Sequence, residues 1–176
     1  MQYKFNPYSK NIIFFDTEFS SNDPYEGEIL SIGLVKLNGD SLYLELDHKG
    51  PVDKWVKKNI LPTLNAEKVK STKAIKRIKK FVGKKKPFAV TYVNQYDIIY
   101  LHKLFKSKNI DDLPFYWIPI DFASVLFGNG INPKSYYPSD KSNFFKELGV
   151  DSSKFNLHNA LDDAKLLREV YIAMVK

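Results

Sequence analysis

The sequence contains no cysteine. This absence excludes disulfide bonds, cysteine nucleophiles and thiolate zinc sites. Long apolar runs are also missing, because no stretch approaches the roughly 18–20 residues that cross a bilayer. The first ten residues, MQYKFNPYSK, lack the apolar stretch of a signal peptide. From these absences we expect an intracellular, cytoplasmic protein that does not bind membranes.

Acidic residues are nearly absent from residues 54–86. This segment holds 13 of the 27 Lys and Arg but only one acid, Glu67, so its net charge is +12. The whole chain carries +7, and the remainder is therefore negative at −5. A positive field confined to one segment favours a polyanionic partner. A solvated, lysine-rich helix face is the alternative, and both interpretations stay open.

The composition is that of a folded protein. Hydrophobic residues make up 44% of the 176 residues, and aromatic residues make up 15%. A chain of this length can bury a substantial core within one domain. We therefore expect residues 1–176 to form a single domain.

Apolar runs predict five strands. The run NIIFFDT at 11–17 suits a central strand that is buried on both faces. Asn38-Gly39 separates the next two strands and is a strong hairpin signal, so three antiparallel strands open the fold. Pro119 cannot donate to a central ladder and marks the last strand as an edge. The four strands that follow the first are predicted at 28–37, 41–47, 87–93 and 115–120.

Helical patterns alternate with the later strands. Asp121 suits the N-cap of one of these helices, and residues 128–140 are rich in turn formers. The predicted helices are 51–61, 66–83, 96–106, 122–127, about 140–148 and about 160–175. This order predicts an α/β fold, with a mixed five-stranded sheet flanked by helices.

Two acids, Asp16 and Glu18, follow the first buried strand. Spaced by two, they point to the same side of that strand. Two ionised carboxylates side by side resist burial unless a divalent cation with oxygen ligands joins them. A capping role for Asp16 with an exposed Glu18 is the alternative, since D-x-E alone is a weak signal.

Three further residues complete a pattern. Asp97 follows a later strand, and Asp163 lies in the first turn of the last helix with His158 five residues before it. Each acid alone also fits a helix N-terminus, which the helix dipole favours. Together the set suits phosphodiester hydrolysis with two divalent cations. A neutral histidine beside them can accept the proton of the attacking water.

The pattern resembles the DEDDh exonucleases, a DnaQ-like, ribonuclease-H-like group. FFDTEF, YVNQYDIIYL and HNALDDAKLL are similar to the group's three motifs, so the resemblance extends from residue 12 to about residue 170. It implies a ribonuclease-H-like fold and a 3′–5′ exonuclease that releases nucleoside 5′-monophosphates. The implied cofactors are two divalent cations, Mg²⁺ or Mn²⁺, and the implied partner is single-stranded nucleic acid.

The resemblance also implies roles for individual residues. Asp16, Glu18, Asp97 and Asp163 would hold the cations, with Asp163 selected over Asp162 by the motif spacing. His158 would be the general base, so these five residues form the implied catalytic set. The implied substrate contacts lie next to the motifs, at Phe19, Ser20 and Asn94. Related stand-alone enzymes are commonly dimers, and a homodimer is expected on that analogy.

The sequence departs from the group at substrate-contact positions. Val93 stands where Asn is common, with Asn94 one residue later, and Phe19-Ser20-Ser21 replaces the usual continuation of the first motif. These departures, with ILSIG and WVKKNILP, resemble a small stand-alone subgroup typified by a mycobacterial 3′–5′ exoribonuclease. We therefore expect RNA as the substrate. The alternatives are a DNA or mixed exonuclease and, less favoured, a catalytically silent nucleic-acid-binding module.

Overall fold

The computed structural model describes residues 11–137 and 143–175, which form one mixed sheet flanked by helices. The strands are β1 (Ile12–Phe19), β2 (Ile29–Lys36), β3 (Ser41–Leu46), β4 (Lys68–Val69), β5 (Phe88–Thr91) and β6 (Ile120–Asp121). The helices are α1 (Lys54–Asn59), α2 (Ser71–Val82), α3 (Gln95–Phe105), α4 (Phe122–Gly128), α5 (Phe144–Glu147) and α6 (Ala160–Met174). No helix within the two described ranges is long and apolar enough to cross a membrane.

The strands lie in the order β4-β3-β2-β1-β5-β6. β1, β2 and β3 pair in antiparallel fashion, whereas β4, β5 and β6 each pair in parallel with a neighbour. The predicted mixed α/β sheet, opened by three antiparallel strands, is therefore confirmed. The hairpin turn also forms at Asn38-Gly39, where the positive φ of Gly39, 94°, explains the glycine.

The sheet has six strands rather than the predicted five. The additional strand, β4, lies inside the range 66–83 that was predicted to be helical. Its two residues pair in parallel with the end of β3, and helix α2 begins only at Ser71. Extended backbone buries the side chain of Val69 in the core. Because its partner strand lies far earlier in the chain, local periodicity could not indicate this pairing.

Several predicted boundaries also change. The helix predicted at 51–61 is shortened to α1 and followed by a 3₁₀ turn at Leu61–Thr63, with Pro62 in the turn. The strand predicted at 115–120 is reduced to β6, which does lie at the edge of the sheet. Of the helix predicted at about 140–148, only α5 is seen, and residues 138–142 lie outside the described residues.

The predicted helices at 96–106, 122–127 and 160–175 match α3, α4 and α6 closely. Asp121 caps α4 as predicted, because its carboxylate accepts the backbone N–H of Ser124 at 3.1 Å. Within the predicted loop 128–140, a 3₁₀ turn covers Pro133–Tyr136.

The central strand β1 is buried on both faces, as its apolar sequence predicted. Ile13 and Phe15 pack in a core cluster with α2 and α3 on one face. Ile12 and Phe14 pack with α4, α5 and α6 on the other. We call these the α3 face and the α6 face. Alternate residues of β1 therefore reach different layers, and this alternation continues to the C-terminal end of the strand, where the acids lie.

Gly33 brings the N-terminus of α6 directly onto the sheet. A Cβ atom at this position would lie 2.2 Å from the carbonyl oxygen of Ala160, so only glycine allows the approach. Gly33 is also the register partner of Asp16 in the β1–β2 pairing. The first turn of α6 is consequently held beside the acidic end of β1.

Candidate active site

Asp16 and Glu18 lie at the C-terminal end of β1 on its α6 face. Their register partners on β2 are Gly33 and Ser31. Directly after Glu18 the pairing shifts by one residue, so a β-bulge marks the end of regular pairing. Bulges of this kind redirect side chains and are common beside active sites.

The first turn of α6 supplies the third acid. Asn159 caps this helix, because its side-chain oxygen accepts the backbone N–H groups of Leu161 and Asp162. The cap sets the start of the helix, and Asp163 then projects toward β1. Asp16, Glu18 and Asp163 each offer a carboxylate oxygen, and these oxygens all lie within 4.8 Å of one another. The structure thus brings together three of the four predicted acids.

This group is electrostatically unfavourable by itself. Burial, reinforced by the carboxylates of Asp97, Asp163 and Glu18, raises the pKa of Asp16 well above its ordinary value. Burial and the neighbouring charges also raise the pKa of Glu18 to about 8. Burial raises the pKa of Asp163 to about 7, although a hydrogen bond from the backbone of His158 opposes the change.

The donor chemistry of this cluster fits a divalent cation. Among the described residues, no group donates a hydrogen bond to the carboxylate of Asp16 or of Glu18. Hard oxygen ligands at this spacing are what Mg²⁺ and Mn²⁺ bind. A bound cation would offset the mutual repulsion that raises these pKa values.

Asp97 lies in the first turn of α3, but its carboxylate is bound on the α3 face of β1. One oxygen accepts the backbone N–H of Thr17 at 2.9 Å and the Thr17 hydroxyl at 2.6 Å. The other accepts the hydroxyl of Thr91 at 3.2 Å. Burial raises the pKa of Asp97 to about 7, although these hydrogen bonds lower it. Asp97 is therefore close enough to influence Asp16, yet it does not join the three-acid cluster. Its role as a cation ligand stays a prediction.

His158 lies beside the cluster in a constrained conformation. Its φ is positive, at 62°, and its backbone N–H donates to a carboxylate oxygen of Asp163 at 3.0 Å. Its imidazole packs edge-on against the indole of Trp55, with ring centroids 5.1 Å apart. Desolvation lowers the pKa of His158. The imidazole is therefore neutral near pH 7 and can accept a proton.

The predicted substrate contacts are placed differently. Phe19 stacks on Tyr100 and Tyr96, with ring centroids at 4.7 and 5.5 Å, on the α3 face. Ser20 is completely buried, and its hydroxyl accepts the backbone N–H of Glu28 at 3.0 Å. Asn94 directly precedes α3. These contacts favour packing and loop-fixing roles for the side chains of Phe19 and Ser20, and substrate contact by the three residues stays a prediction.

Helix α3 fixes the loop that follows the first two acids. The ammonium group of Lys103 donates to the carbonyl oxygens of Pro24 and Tyr25, both at 2.8 Å, and of Gly27 at 2.6 Å. The Tyr100 hydroxyl donates to the carbonyl of Ser21 in the same loop. Sequence reasoning missed Lys103, because nothing distinguishes it from the many other lysines.

A cavity of about 330 Å³ opens beside the acids. Its lining includes Asp16, Asp163 and His158, together with Tyr92, Tyr136, Tyr137 and Leu157. Sequence reasoning did not assign these tyrosines, because their convergence depends on contacts of Tyr92, which directly follows β5, with the 3₁₀ turn at Pro133–Tyr136. Gly33 was also missed, although an isolated glycine inside a strand is a recognisable sign of close backbone approach.

No family model and no curated protein matches the sequence. The fold, however, is similar to several solved structures of exonuclease I. A zinc-bound complex of E. coli exonuclease I with single-stranded DNA has a TM-score of 0.63 and 17% identity, and covers 92% of this chain and 39% of that protein. Exonuclease I from Methylocaldum szegediense has a TM-score of 0.64 and 19% identity, and covers 94% of this chain and 41% of that protein.

A further structure of E. coli exonuclease I, in complex with an oligonucleotide, has a TM-score of 0.64 and 17% identity over 88% of this chain. This chain spans about two fifths of the length of these proteins. At this level of identity the similarity concerns the fold. The mixed sheet, its flanking helices and these similarities show that the chain has the ribonuclease-H-like fold.

Proposed function

We propose that this protein is a divalent-cation-dependent 3′–5′ exonuclease that acts on single-stranded nucleic acid. The observation that carries this proposal is the cluster of Asp16, Glu18 and Asp163, whose oxygens lie within 4.8 Å of one another. The similarity of the fold to exonuclease I, which is solved with single-stranded DNA, supports the same function.

The three clustered carboxylates would hold the cation. The resemblance to the DEDDh exonucleases assigns Asp97 to a second cation, directly or through water. When bound, Mg²⁺ or Mn²⁺ would lower the pKa of the attacking water and stabilise the negative charge that develops on the phosphate. The resemblance to the DEDDh exonucleases assigns Asp16 to both cations, and the carboxylates of Glu18 and Asp163 lie close enough to Asp16 to contribute to raising its pKa.

His158 would accept the proton of the attacking water. Its lowered pKa keeps the imidazole neutral, which is the form that accepts a proton. Its backbone bond to Asp163 and its contact with Trp55 restrict where the ring can lie. Attack at phosphorus then breaks the bond to the 3′-oxygen of the preceding nucleotide, which releases a nucleoside 5′-monophosphate.

A cationic surface supports the choice of a polyanionic substrate. Most basic side chains of α2 are exposed, while its apolar residues face the core. Among the described residues, Lys86 is the only cation of residues 54–86 that forms an ion pair, with Asp111. Unpaired surface charge of this density favours phosphate backbones and makes affinity fall steeply with added salt.

Within this function, we propose RNA as the preferred substrate on the basis of the resemblance at ILSIG and WVKKNILP. The second candidate is a DNA or mixed exonuclease, which is favoured by the single-stranded DNA in the exonuclease I complexes. A catalytically silent binding module is less favoured, because the sequence retains the four acids of the motifs and His158.

Digestion of matched RNA and DNA oligonucleotides tests the proposal. The two strands should carry a 5′ label and the same base sequence, and each should be incubated with Mg²⁺, Mn²⁺ or EDTA. We expect progressive shortening from the 3′ end, release of nucleoside 5′-monophosphates, and faster loss of RNA. Degradation that persists in EDTA, or in an Asp16→Asn variant of the same preparation, would exclude the proposed chemistry.

A further inference from the structure

The solvent-facing side of α2 carries a row of cations. The helix buries Ala74, Ile78 and Val82 in the core. Four exposed basic residues lie on its other side, and we call them the α2 stripe: Lys73, Lys76, Arg77 and Lys80. Their spacing of three and four residues makes them neighbours, about 5–6 Å apart along the helix surface. The stripe is therefore a continuous cationic surface.

No acid compensates the charge of the α2 stripe. The sequence has no Asp or Glu between Glu67 and Asp97. Among the described residues, none of the four cations of the stripe forms an ion pair. Like charges at this spacing on a helix repel one another, which lowers its stability. A partner with closely spaced negative charges would remove that repulsion.

The topology of the sheet places the start of α2 near the acidic edge. β1, β3, β4 and β5 run in the same direction, because β1 and β3 are antiparallel to β2 while β4 and β5 are parallel to their neighbours β3 and β1. β4 pairs with the last two residues of β3, and β5 begins beside the start of β1. The 12 residues of α2 connect these two strands. The stripe therefore leads away from the acidic edge over about 18 Å.

β4 lies in line with the acids across the sheet. Glu18 pairs with Ser31, Ser31 pairs with Glu45, and Glu45 pairs with Lys68 of β4. Three strand spacings, about 14 Å in total, therefore separate Lys68 from Glu18. The start of the α2 stripe, shortly after β4, is within reach of a strand bound at the acids.

Helix α1 extends the cationic surface to the catalytic residues. The indole of Trp55 in α1 contacts the imidazole of His158, so this helix lies beside the active site. The lysines of α1 are all exposed: Lys54, Lys57 and Lys58. Exposed cations therefore occur on both helices between the acidic edge and the far end of α2.

We propose that α1 and the α2 stripe bind the body of the substrate strand, on the 5′ side of the scissile phosphate. This inference rests on the proposed function, because a strand that is shortened at its 3′ end extends from the active site only in the 5′ direction. Phosphate contacts position a strand without reading its bases, so this surface adds affinity but no sequence preference.

The proposal assigns a substrate class. The path from the acids to the far end of α2 is about 32 Å, the sum of the two lengths above. A stacked strand advances about 3.4 Å per nucleotide and needs roughly ten nucleotides to cover this path. The preferred substrates are therefore strands of that length or longer, and fragments of a few nucleotides are poor ligands.

Equilibrium binding of short and long strands tests the inference independently of catalysis. Fluorescence anisotropy in EDTA should compare labelled strands of 4 and 18 nucleotides that share one 3′ sequence. The α2 variant combines Arg77→Gln with Lys80→Gln, because both side chains are exposed and glutamine keeps a similar helix propensity. The control variant combines Lys146→Gln with Lys154→Gln, which removes the same charge from exposed positions in segments that pack on the α6 face.

The α2 variant should lose affinity only for the long strand. We expect it to bind the 18-nucleotide strand about tenfold more weakly than wild type and the 4-nucleotide strand within about twofold of wild type. The slope of log affinity against log salt concentration should also become less steep by about 1.4, because each of two lost phosphate contacts contributes about 0.7. The control variant should bind both strands within about twofold of wild type.

Three results would overturn the inference. Wild-type affinity of the α2 variant for the long strand would mean that the stripe is only a solvated helix face. An equal loss for both strands would mean that the stripe does not contact the strand body. An equal loss in the control variant would mean that net charge alone sets the affinity. Thermal melts of both variants check that they fold.

A separate hydrolysis assay on the wild-type protein distinguishes failure of this inference from failure of the proposed function. Hydrolysis by a protein whose α2 variant binds the long strand normally contradicts only the inference. Loss of binding in the α2 variant, with no hydrolysis by the wild-type protein, contradicts only the nuclease function.

Discussion

On the α6 face of β1, the carboxylates of Asp16 and Glu18 accept no hydrogen bond from the described residues, whereas on the α3 face the carboxylate of Asp97 accepts three. All three groups are acids within or beside the same strand. Burial raises the pKa of each, but only for Asp97 do hydrogen bonds lower it again. The two faces therefore differ in the hydrogen-bond donors that they offer, although the pKa of the acids is raised on both.

This difference in hydrogen bonding indicates different roles for the acids of the two faces. The carboxylate of Asp97 has a structural role, because it accepts hydrogen bonds from the buried backbone N–H of Thr17 and the hydroxyl of Thr91, which would otherwise lack these partners. Carboxylates without donors destabilise the fold until a ligand supplies positive charge. The acids of the α6 face consequently have the donor chemistry to bind an external cation, whereas Asp97 on the α3 face connects α3 to β1. The predictions below test this division.

The largest expected effect concerns two adjacent acids of α6. Asp163→Asn should lower the hydrolysis rate by about a thousandfold or more, because it removes a cation ligand and several kcal/mol of transition-state stabilisation. Asp162→Asn should change the rate by less than about threefold, since Asp162 accepts hydrogen bonds from Asn156 and pairs with Lys165 outside the cluster. Single-turnover hydrolysis of a 5′-labelled oligonucleotide measures both.

Circular dichroism spectra of the two variants serve as the control for folding. A normal rate in Asp163→Asn, or a large loss of rate in Asp162→Asn, would show that Asp163 is not the cation ligand of α6. It would also remove the basis for treating the α6 face as the cation-binding side.

The second prediction concerns stability, where the two faces should respond with opposite signs. Asp97→Ala should lower the free energy of unfolding by about 2 kcal/mol, because the Thr17 N–H is left buried without an acceptor. Asp16→Ala should raise the free energy of unfolding in EDTA, because it removes one of the repelling charges. Urea unfolding at pH 8 measures both variants against wild type.

The same pair of variants gives a contrast in Mg²⁺. In Mg²⁺, the free energy of unfolding of Asp16→Ala should no longer exceed that of wild type, because only the intact cluster gains stability from the cation. Equal destabilisation by both substitutions in EDTA would mean that the carboxylates of the α6 face are structural as well, and the comparison between the faces would fail.

The parts of this fold and site that follow local patterns could be predicted from the sequence. The apolar run NIIFFDT predicts a central strand, Asn38-Gly39 predicts the hairpin, and D-x-E after buried strand predicts the acidic end of β1. The H-x-x-x-x-D spacing predicts the acid of α6. Each of these features depends on a few neighbouring residues, so it can be predicted from the local sequence.

The features that were missed depend on contacts between distant segments. β4 exists because two residues pair with the end of β3. The binding of Asp97 on the α3 face depends on Thr17, eighty positions earlier in the chain. The approach of α6 to β1 depends on the absence of a side chain at Gly33. No local periodicity reports such pairings, because they form only when the tertiary packing brings the segments together.

The smallest expected effect is a pH dependence of stabilisation by Mg²⁺. The folded protein raises the pKa of Glu18 to about 8 and that of Asp163 to about 7, whereas the unfolded chain has ordinary values near 4. Between about pH 4 and pH 8 the folded state therefore binds more protons than the unfolded state. Its free energy of unfolding in EDTA consequently falls as the pH rises from 5 to 8. Binding of Mg²⁺ requires the deprotonated carboxylates and reverses this loss. Thermal melts should therefore show that Mg²⁺ raises Tm by a few degrees more at pH 8 than at pH 5.5. Asp163→Asn should remove most of that difference, whereas a Tm increase independent of pH would show that the cation binds away from these acids.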